Sequence, residues 1–320
     1  MEILFTPYMT IPALSDADRR QILTAAPQDS RLLESDSVSE QIRLISNADI
    51  LLGRVSPEIF DKQTKLKYYH FIGAGVDSVL TGTLPHTNVL LACDKGQVGP
   101  QLAEHAFALL LTLTRQVHTA VRTPDYQLRE SLRVLSRELQ HQTMGILGFG
   151  GAGRAIAQRA MAFGMRVLAI DIEDVPPEAG VDAIWRPECL PDLLAQSDVV
   201  VIALPLTTLT RGLLNRTTFA QMKPDSILIN VTRGAIVDCG DLLTALDSGK
   251  LWGAGLDVTA PEPLPENHPL WRHPRCVITP HTAGGSPKRK ERIVQAFCMN
   301  LKRLQRNEPL LGLVDKERGY

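Results

Sequence analysis

The stretch GILGFGGAGR places Gly148, Gly150 and Gly153 in the spacing G-x-G-x-x-G, directly after an apolar run and directly before the helix-forming run AIAQRAMAFG. The strand-to-helix context is what makes this spacing informative. A first glycine permits a tight turn, a second lets backbone approach a pyrophosphate, and a third lets the helix lie close on its strand. The helix N-terminus, with Gly151 and Ala152 in its first turn, then offers unpaired N–H groups and a positive dipole end to phosphate. The next apolar run, MRVLAIDI, ends at Asp171, eighteen residues beyond Gly153. That is close to where an acid receives the adenosine ribose hydroxyls of a dinucleotide. Glu173 and Asp174 follow, with no Arg or Lys immediately after the run. A 2′-phosphate would be repelled, so the cofactor expected is NAD (NADH).

Around this motif the chain alternates short apolar runs with helical stretches. TMGILGFG, MRVLAIDI, SDVVVIALPL, SILINVTRG, LWGAGLDV and CVITPHTAG describe six strands of a doubly wound parallel sheet. The first ninety-odd residues show the same alternation in EILFTP, ADILLGR, KYYHFIGAG and NVLLACD. Between the two sets, residues 101–121 read as one unbroken apolar helix, expected to be buried and to lie at a subunit interface. Residues 287–307 read as an amphipathic helix that returns to the first domain. At 320 residues the chain is about twice a usual domain. We therefore expect an α/β protein of two parallel-sheet domains facing each other across a cleft. One is a Rossmann nucleotide domain over 99–285, the other a discontinuous, flavodoxin-like substrate domain over 1–98 plus 286–320.

Charge and cysteine usage exclude several classes. Net charge is −1 and no long block of like charge occurs, so no nucleic-acid partner is expected. Five scattered cysteines without a C-x-x-C pair fit reduced thiols in the cytoplasm rather than a disulfide framework or a metal site. No window approaches the ~18 apolar residues of a membrane span.

In open parallel sheets ligands gather at the carboxyl ends of strands. Pro205 and Thr207 follow VVVIAL, Thr232 and Arg233 follow ILIN, Asp257 closes LWGAGLDV, Glu262 lies in APEPLP, and His281 follows CVITP. Reduction of a 2-oxo acid needs a proton donor, a cation for the carboxylate and a cofactor at hydride distance. His281 is the candidate donor, with Glu262 holding one ring nitrogen and stabilising the imidazolium. Arg233 is the candidate clamp, because guanidinium engages a carboxylate through two parallel hydrogen bonds. Beyond His281, the turn Ala283-Gly284-Gly285 allows close approach of nicotinamide. In the first domain, Gly73, Ala74 and Gly75 form a turn whose N–H groups suit an anion. The other seven histidines, at 70, 86, 105, 118, 141, 268 and 273, receive no role.

These residues resemble the D-isomer specific 2-hydroxyacid dehydrogenase family, in a short form like the glyoxylate/hydroxypyruvate reductases or phosphoglycerate dehydrogenases. The matching segments are GAGVD, AEHAFALLL, GFGGAG, LPLT, NVTRGAIVD, GAGLDV, PEPLP and TPHTAG, in that order along the chain. The resemblance implies that Arg233, Glu262 and His281 are catalytic and that Thr207 and Asp257 lie near the cofactor. It also implies a D-hydroxy acid product and a homodimer built around 101–121. Arg54, at the end of ILLGR, falls where some relatives place a substrate arginine. The alternative is an NAD(H)-sensing, corepressor-like binding protein that keeps the fold and most of the motifs.

Overall fold

A computed structural model describes all 320 residues and divides into two compact units. Unit 1 comprises residues 1–98 and 285–320, and unit 2 comprises residues 99–284. Both are parallel α/β sheets, as the alternation of runs predicts.

Unit 1 contains β1 (Glu2–Phe5), β2 (Arg31–Glu34), β3 (Ile50–Gly53), β4 (Tyr68–Phe71) and β5 (Leu90–Cys93). All pair in parallel in the order β2-β1-β3-β4-β5, the flavodoxin-like order. The period-2 alternation of strand side chains sorts its core. Ile3, Phe5 and Tyr68 pack with Ile22 of α1 (Asp16–Ala25) and with Ile293 and Phe297 of α11 (Arg289–Gln305). Leu4, Leu51 and Tyr69 pack on the other face, with Ile45 of α2 (Val38–Ile45) and Phe60 of α3 (Pro57–Phe60). Four of the five strands coincide with the apolar runs. β2 was not among them: RLLE carries only two apolar residues and no residue of it is fully buried, as fits an edge strand.

Unit 2 contains β6 (Thr143–Leu147), β7 (Arg166–Ile170), β8 (Ala183–Trp185), β9 (Val199–Ile202), β10 (Ser226–Asn230), β11 (Leu251–Leu256) and β12 (Cys276–Ile278). Their order is β12-β11-β10-β9-β6-β7-β8, all parallel. The chain reverses its direction of growth between β6 and β9, so the glycine turn leaving β6 lies at the topological switch point. The short edge strand β8 adds to the six expected. Met144, Ile146, Val167 and Val201 meet α4 (Gly99–Thr114) and α7 (Gly151–Ala162) on one face. Leu147, Leu168, Val200 and Ile202 meet α8 (Leu190–Gln196), α9 (Arg216–Gln221) and α10 (Cys239–Asp247) on the other.

The apolar helix expected to run unbroken over 101–121 is in fact two. α4 stops at Thr114, Gln116 adopts a left-handed backbone with φ 58°, and α5 (Val117–Arg122) begins anew. Polar groups stabilise this break. Gln116 donates from its backbone and side chain to Leu113 O, Arg137 N caps Thr114 O, and the His118 ring contacts Thr112 O and Pro274 O. After α5 comes α6 (Arg129–Leu135), which buries none of its side chains. No helix is long and apolar enough to cross a membrane.

Candidate active site

The turn after β6 is set by what its residues lack. Gly148 has φ +93°, and a Cβ there would meet Ala203 O at 2.8 Å. A Cβ on Gly153 would overlap Gly148 O, so only glycine lets α7 start this close to its strand. At Gly150, which caps α7, a Cβ would meet nothing within 4 Å. Space is open where the free N–H groups of the α7 first turn, with Gly151 and Ala152 half-buried, point outward. Asp171 leaves β7 beside this turn and accepts hydrogen bonds from Phe149 N at 2.6 Å and Glu173 N at 2.9 Å. Each carboxylate oxygen keeps an acceptor position for a hydroxyl. Open space before a helix N-terminus, flanked by an oriented acid, fits a dinucleotide. The nearby arginines are already engaged: Arg154 pairs with Glu178, and Arg186 lies 3.1 Å from Asp174.

At the ends of β9 and β10 two polar turns are built. Thr210 Oγ1 donates to Pro205 O and receives Thr207 N, which fixes the Pro205–Thr207 segment. Asn230, fully buried, accepts from Thr232 N at 3.1 Å and donates to Arg233 O at 2.9 Å. Arg233 Nη1 in turn donates to Thr232 O. A Cβ on Gly234 would overlap Thr259 O, so glycine there lets the Arg233 turn lie against the segment leading to Glu262. Asn230 was not singled out from sequence, yet it holds both sides of the turn that presents Arg233. Its only sequence signal is a polar residue ending an apolar strand.

His281 and Glu262 meet: Nδ1 lies 2.6 Å from Glu262 Oε1, and both side chains are nearly half exposed. Since Nδ1 faces an acceptor-only carboxylate, Nδ1 carries the proton shared with Glu262, and Nε2 is left for a ligand. His281 has a left-handed backbone, φ 54°, rare for a residue other than glycine. The turn is held to Asp257, which is 1% exposed. His281 N donates to Asp257 O, Thr279 Oγ1 and Thr282 N donate to Asp257 Oδ1, and Ala283 N donates to Oδ2. His105 Nε2 on α4 lies 3.2 Å from Asp257 Oδ1 and 2.8 Å from Thr279 Oγ1. Burial acts to raise the Asp257 pKa, but His105, Thr279 and the amides of Ala283 and Thr282 outweigh it and hold the carboxyl at about 2. Gly284 ends the turn, half-buried.

Within unit 1, Arg54 follows β3. Its Nη1 donates to Tyr8 OH at 2.7 Å, and its guanidinium lies 4.9 Å from the Tyr8 ring centroid and 5.8 Å from that of Phe71. The Phe71 ring also fills the space a side chain on Gly73 would need. The Gly73–Gly75 turn is tied to the end of β5 by Asp94 N to Gly73 O and Cys93 Sγ to Ala74 O. Arg54 and this turn thus share one aromatic ring.

Residues 107–283 match the family model of the D-isomer specific 2-hydroxyacid dehydrogenase NAD binding domain. Glyoxylate/hydroxypyruvate reductase A of Photorhabdus laumondii is 34% identical over 278 residues, 82% of this chain and 84% of that protein. The human glyoxylate reductase/hydroxypyruvate reductase is 33% identical over 265 residues, 82% of this chain and 81% of its own. A solved NADPH-dependent glyoxylate/hydroxypyruvate reductase from Sinorhizobium meliloti, in complex with NADP and sulfate, superposes with a TM-score of 0.81 at 27% identity, covering 100% of both chains. The chain belongs to the D-isomer specific 2-hydroxyacid dehydrogenase family and is an oxidoreductase acting on CH–OH groups.

Proposed function

We propose that this protein is a 2-oxo acid reductase that uses NADH and converts a small 2-oxo acid of the glyoxylate or hydroxypyruvate kind to the D-hydroxy acid. The observation that carries this reading is the 2.6 Å contact between His281 and Glu262 on the sheet that also bears the glycine turn. When bound, the nicotinamide supplies the hydride to C2. His281, as the imidazolium that Glu262 stabilises through Nδ1, gives its Nε2 proton to the substrate oxygen and is left neutral with its proton on Nδ1. Arg233 engages the substrate carboxylate from its Asn230-held turn. Arg54 and the amides of Ala74 and Gly75 are the substrate contacts we assign in unit 1.

Asp171 supports NADH over NADPH, because a carboxylate at the end of the strand that follows the glycine turn would repel a 2′-phosphate, and the neighbouring Arg154 and Arg186 are paired with acids. Pro205, Thr207, Thr232 and Gly284 are the cofactor contacts we assign at neighbouring strand ends, with the buried Asp257 holding the turn between Thr279 and Gly284. Exposed apolar side chains on the segment after α4 support a homodimer: Val121 is 73% exposed, and Tyr126 and Val134 are each 83% exposed. Five free cysteines, four of them buried, suit the cytoplasm.

The deciding experiment is NADH oxidation against glyoxylate, hydroxypyruvate, pyruvate and larger 2-oxo acids, with NADPH in parallel. Turnover with one preferred acid and NADH is expected. Tight NADH binding with no turnover on any acid would overturn the reading in favour of a nucleotide sensor.

A further inference from the structure

Among the seven histidines without a role from sequence, His105 stands apart by its partners. Its Nε2 meets Thr279 Oγ1 at 2.8 Å and Asp257 Oδ1 at 3.2 Å, bridging α4 to residues 174 and 152 positions further along the chain. The direction of these hydrogen bonds follows from counting protons. Asp257 is ionised, so it only accepts, and the one Thr279 hydroxyl proton goes to it at 2.6 Å. Thr279 Oγ1 therefore accepts from His105, which must carry its proton on Nε2. The imidazole is a fixed donor, held by two acceptors that flank the His281 turn.

Six residues earlier, α4 touches the other half of the site. A Cβ on Gly99 would lie 2.5 Å from Gly151 O, so the start of α4 rests on the glycine turn with no side chain between. One rigid helix thus contacts the nucleotide turn at Gly99 and the proton-donor turn at His105, about 9 Å further along its axis.

We propose that His105 is a positioning residue for His281: through Thr279 and Asp257 it holds the left-handed His281 turn in register with the nucleotide turn, using α4 as the strut. This rests on the role proposed for His281. His281 φ of 54° costs energy that the surrounding bonds must overcome. Asp257 supplies most of those bonds, and His105 fixes the rotamer from which it supplies them. Without this donor, the carboxylate can turn and release Thr282 N and Ala283 N.

His105→Leu removes the donor and keeps the bulk, whereas His105→Gln keeps an N–H at similar reach. In the protein without added nucleotide, His105→Leu is expected to speed amide exchange at Thr282 and Ala283 about tenfold or more. Its kcat should fall roughly tenfold, the worth of a charge-assisted hydrogen bond, while KM for the 2-oxo acid and the NADH dissociation constant stay within about threefold. His105→Gln should recover most of both losses. Unchanged exchange and kcat in His105→Leu, or a Gln variant as defective as Leu, would overturn the proposal. If His105→Leu fails to fold, His105→Phe removes the same donor with a ring in its place, and the same outcomes decide. Exchange is read without turnover, so inactivity of the unsubstituted protein on every 2-oxo acid counts against the functional reading and leaves this inference standing or falling on its own.

Discussion

The two turns that matter most in unit 2 leave strands of one sheet and are stabilised in opposite ways. The turn after β6 is steric: Gly148 and Gly153 bring backbone against backbone where any Cβ would collide. The turn after β12 is polar: a left-handed histidine is held by hydrogen bonds that converge on one buried carboxylate. A surface that must admit a pyrophosphate needs emptiness, which glycine provides at short spacing. A side chain that must present one nitrogen needs orientation, and partners from elsewhere in the chain supply it.

The largest effect should separate the two. His281→Ala is expected to lower kcat by about 10²–10⁴ while NADH binding, measured by fluorescence titration, remains near that of the unsubstituted protein. An activity near the original value would remove His281 from the donor role. Gly153→Val should do the reverse. Its side chain overlaps Gly148 O, so unit 2 should lose about 1–3 kcal/mol in urea unfolding and NADH binding should fail at protein concentrations where His281→Ala still binds. A valine variant of full stability and affinity would show that the close approach at Gly153 is dispensable.

The same contrast explains what could be read in the sequence. Gly148, Gly150, Gly153 and Asp171 act through local spacing, and their order along the chain is also their order in space. The apolar runs mark ten of the twelve strands for a related reason: a strand buried on both faces is apolar along its whole length. β2 and β8 escape because they are edge strands with no fully buried residue. His105 escapes because its partners lie far along the chain, and a polar residue on an apolar helix looks like an exposed position. Asn230 is hidden by acting on backbone within its own turn. The stop in the helix at Gln116 is likewise invisible to periodicity, since the bonds from Gln116, Arg137 and His118 that hold it are polar and in part distant.

Acid should weaken the polar turn and leave the steric one. Asp257 is held at about 2 in the folded chain against 3.8 when unperturbed. A depressed carboxyl contributes stability that is fully present above 3.8 and is lost as pH falls through about 2. The contribution is up to about 2 kcal/mol, appearing as a decline in unfolding free energy between about pH 4 and pH 2 that Asp257→Asn should flatten. A decline of equal slope in Asp257→Asn would place the titrating group elsewhere.

The smallest expected effect sharpens the comparison on the nucleotide side, because it changes selectivity while leaving the glycine sterics alone. Asp171 receives Phe149 N and Glu173 N, so it serves both as a brace of the turn and as the proposed acceptor of the ribose hydroxyls. Replacing it with Ser, together with Ile172→Arg, keeps a short acceptor for Phe149 N and adds a cation where a 2′-phosphate would sit. We expect the ratio of kcat/KM for NADPH over NADH to rise by about tenfold or more, corresponding to one charge-assisted hydrogen bond gained and one lost, while kcat with the preferred 2-oxo acid changes little. The separation matters more than the size. If the ratio rises and kcat holds, cofactor choice is written at the end of β7 and proton transfer at the end of β12. If the ratio stays fixed while kcat falls, the Asp171 carboxylate is chiefly a brace of the glycine turn, which then depends on a polar anchor as well as on its glycines.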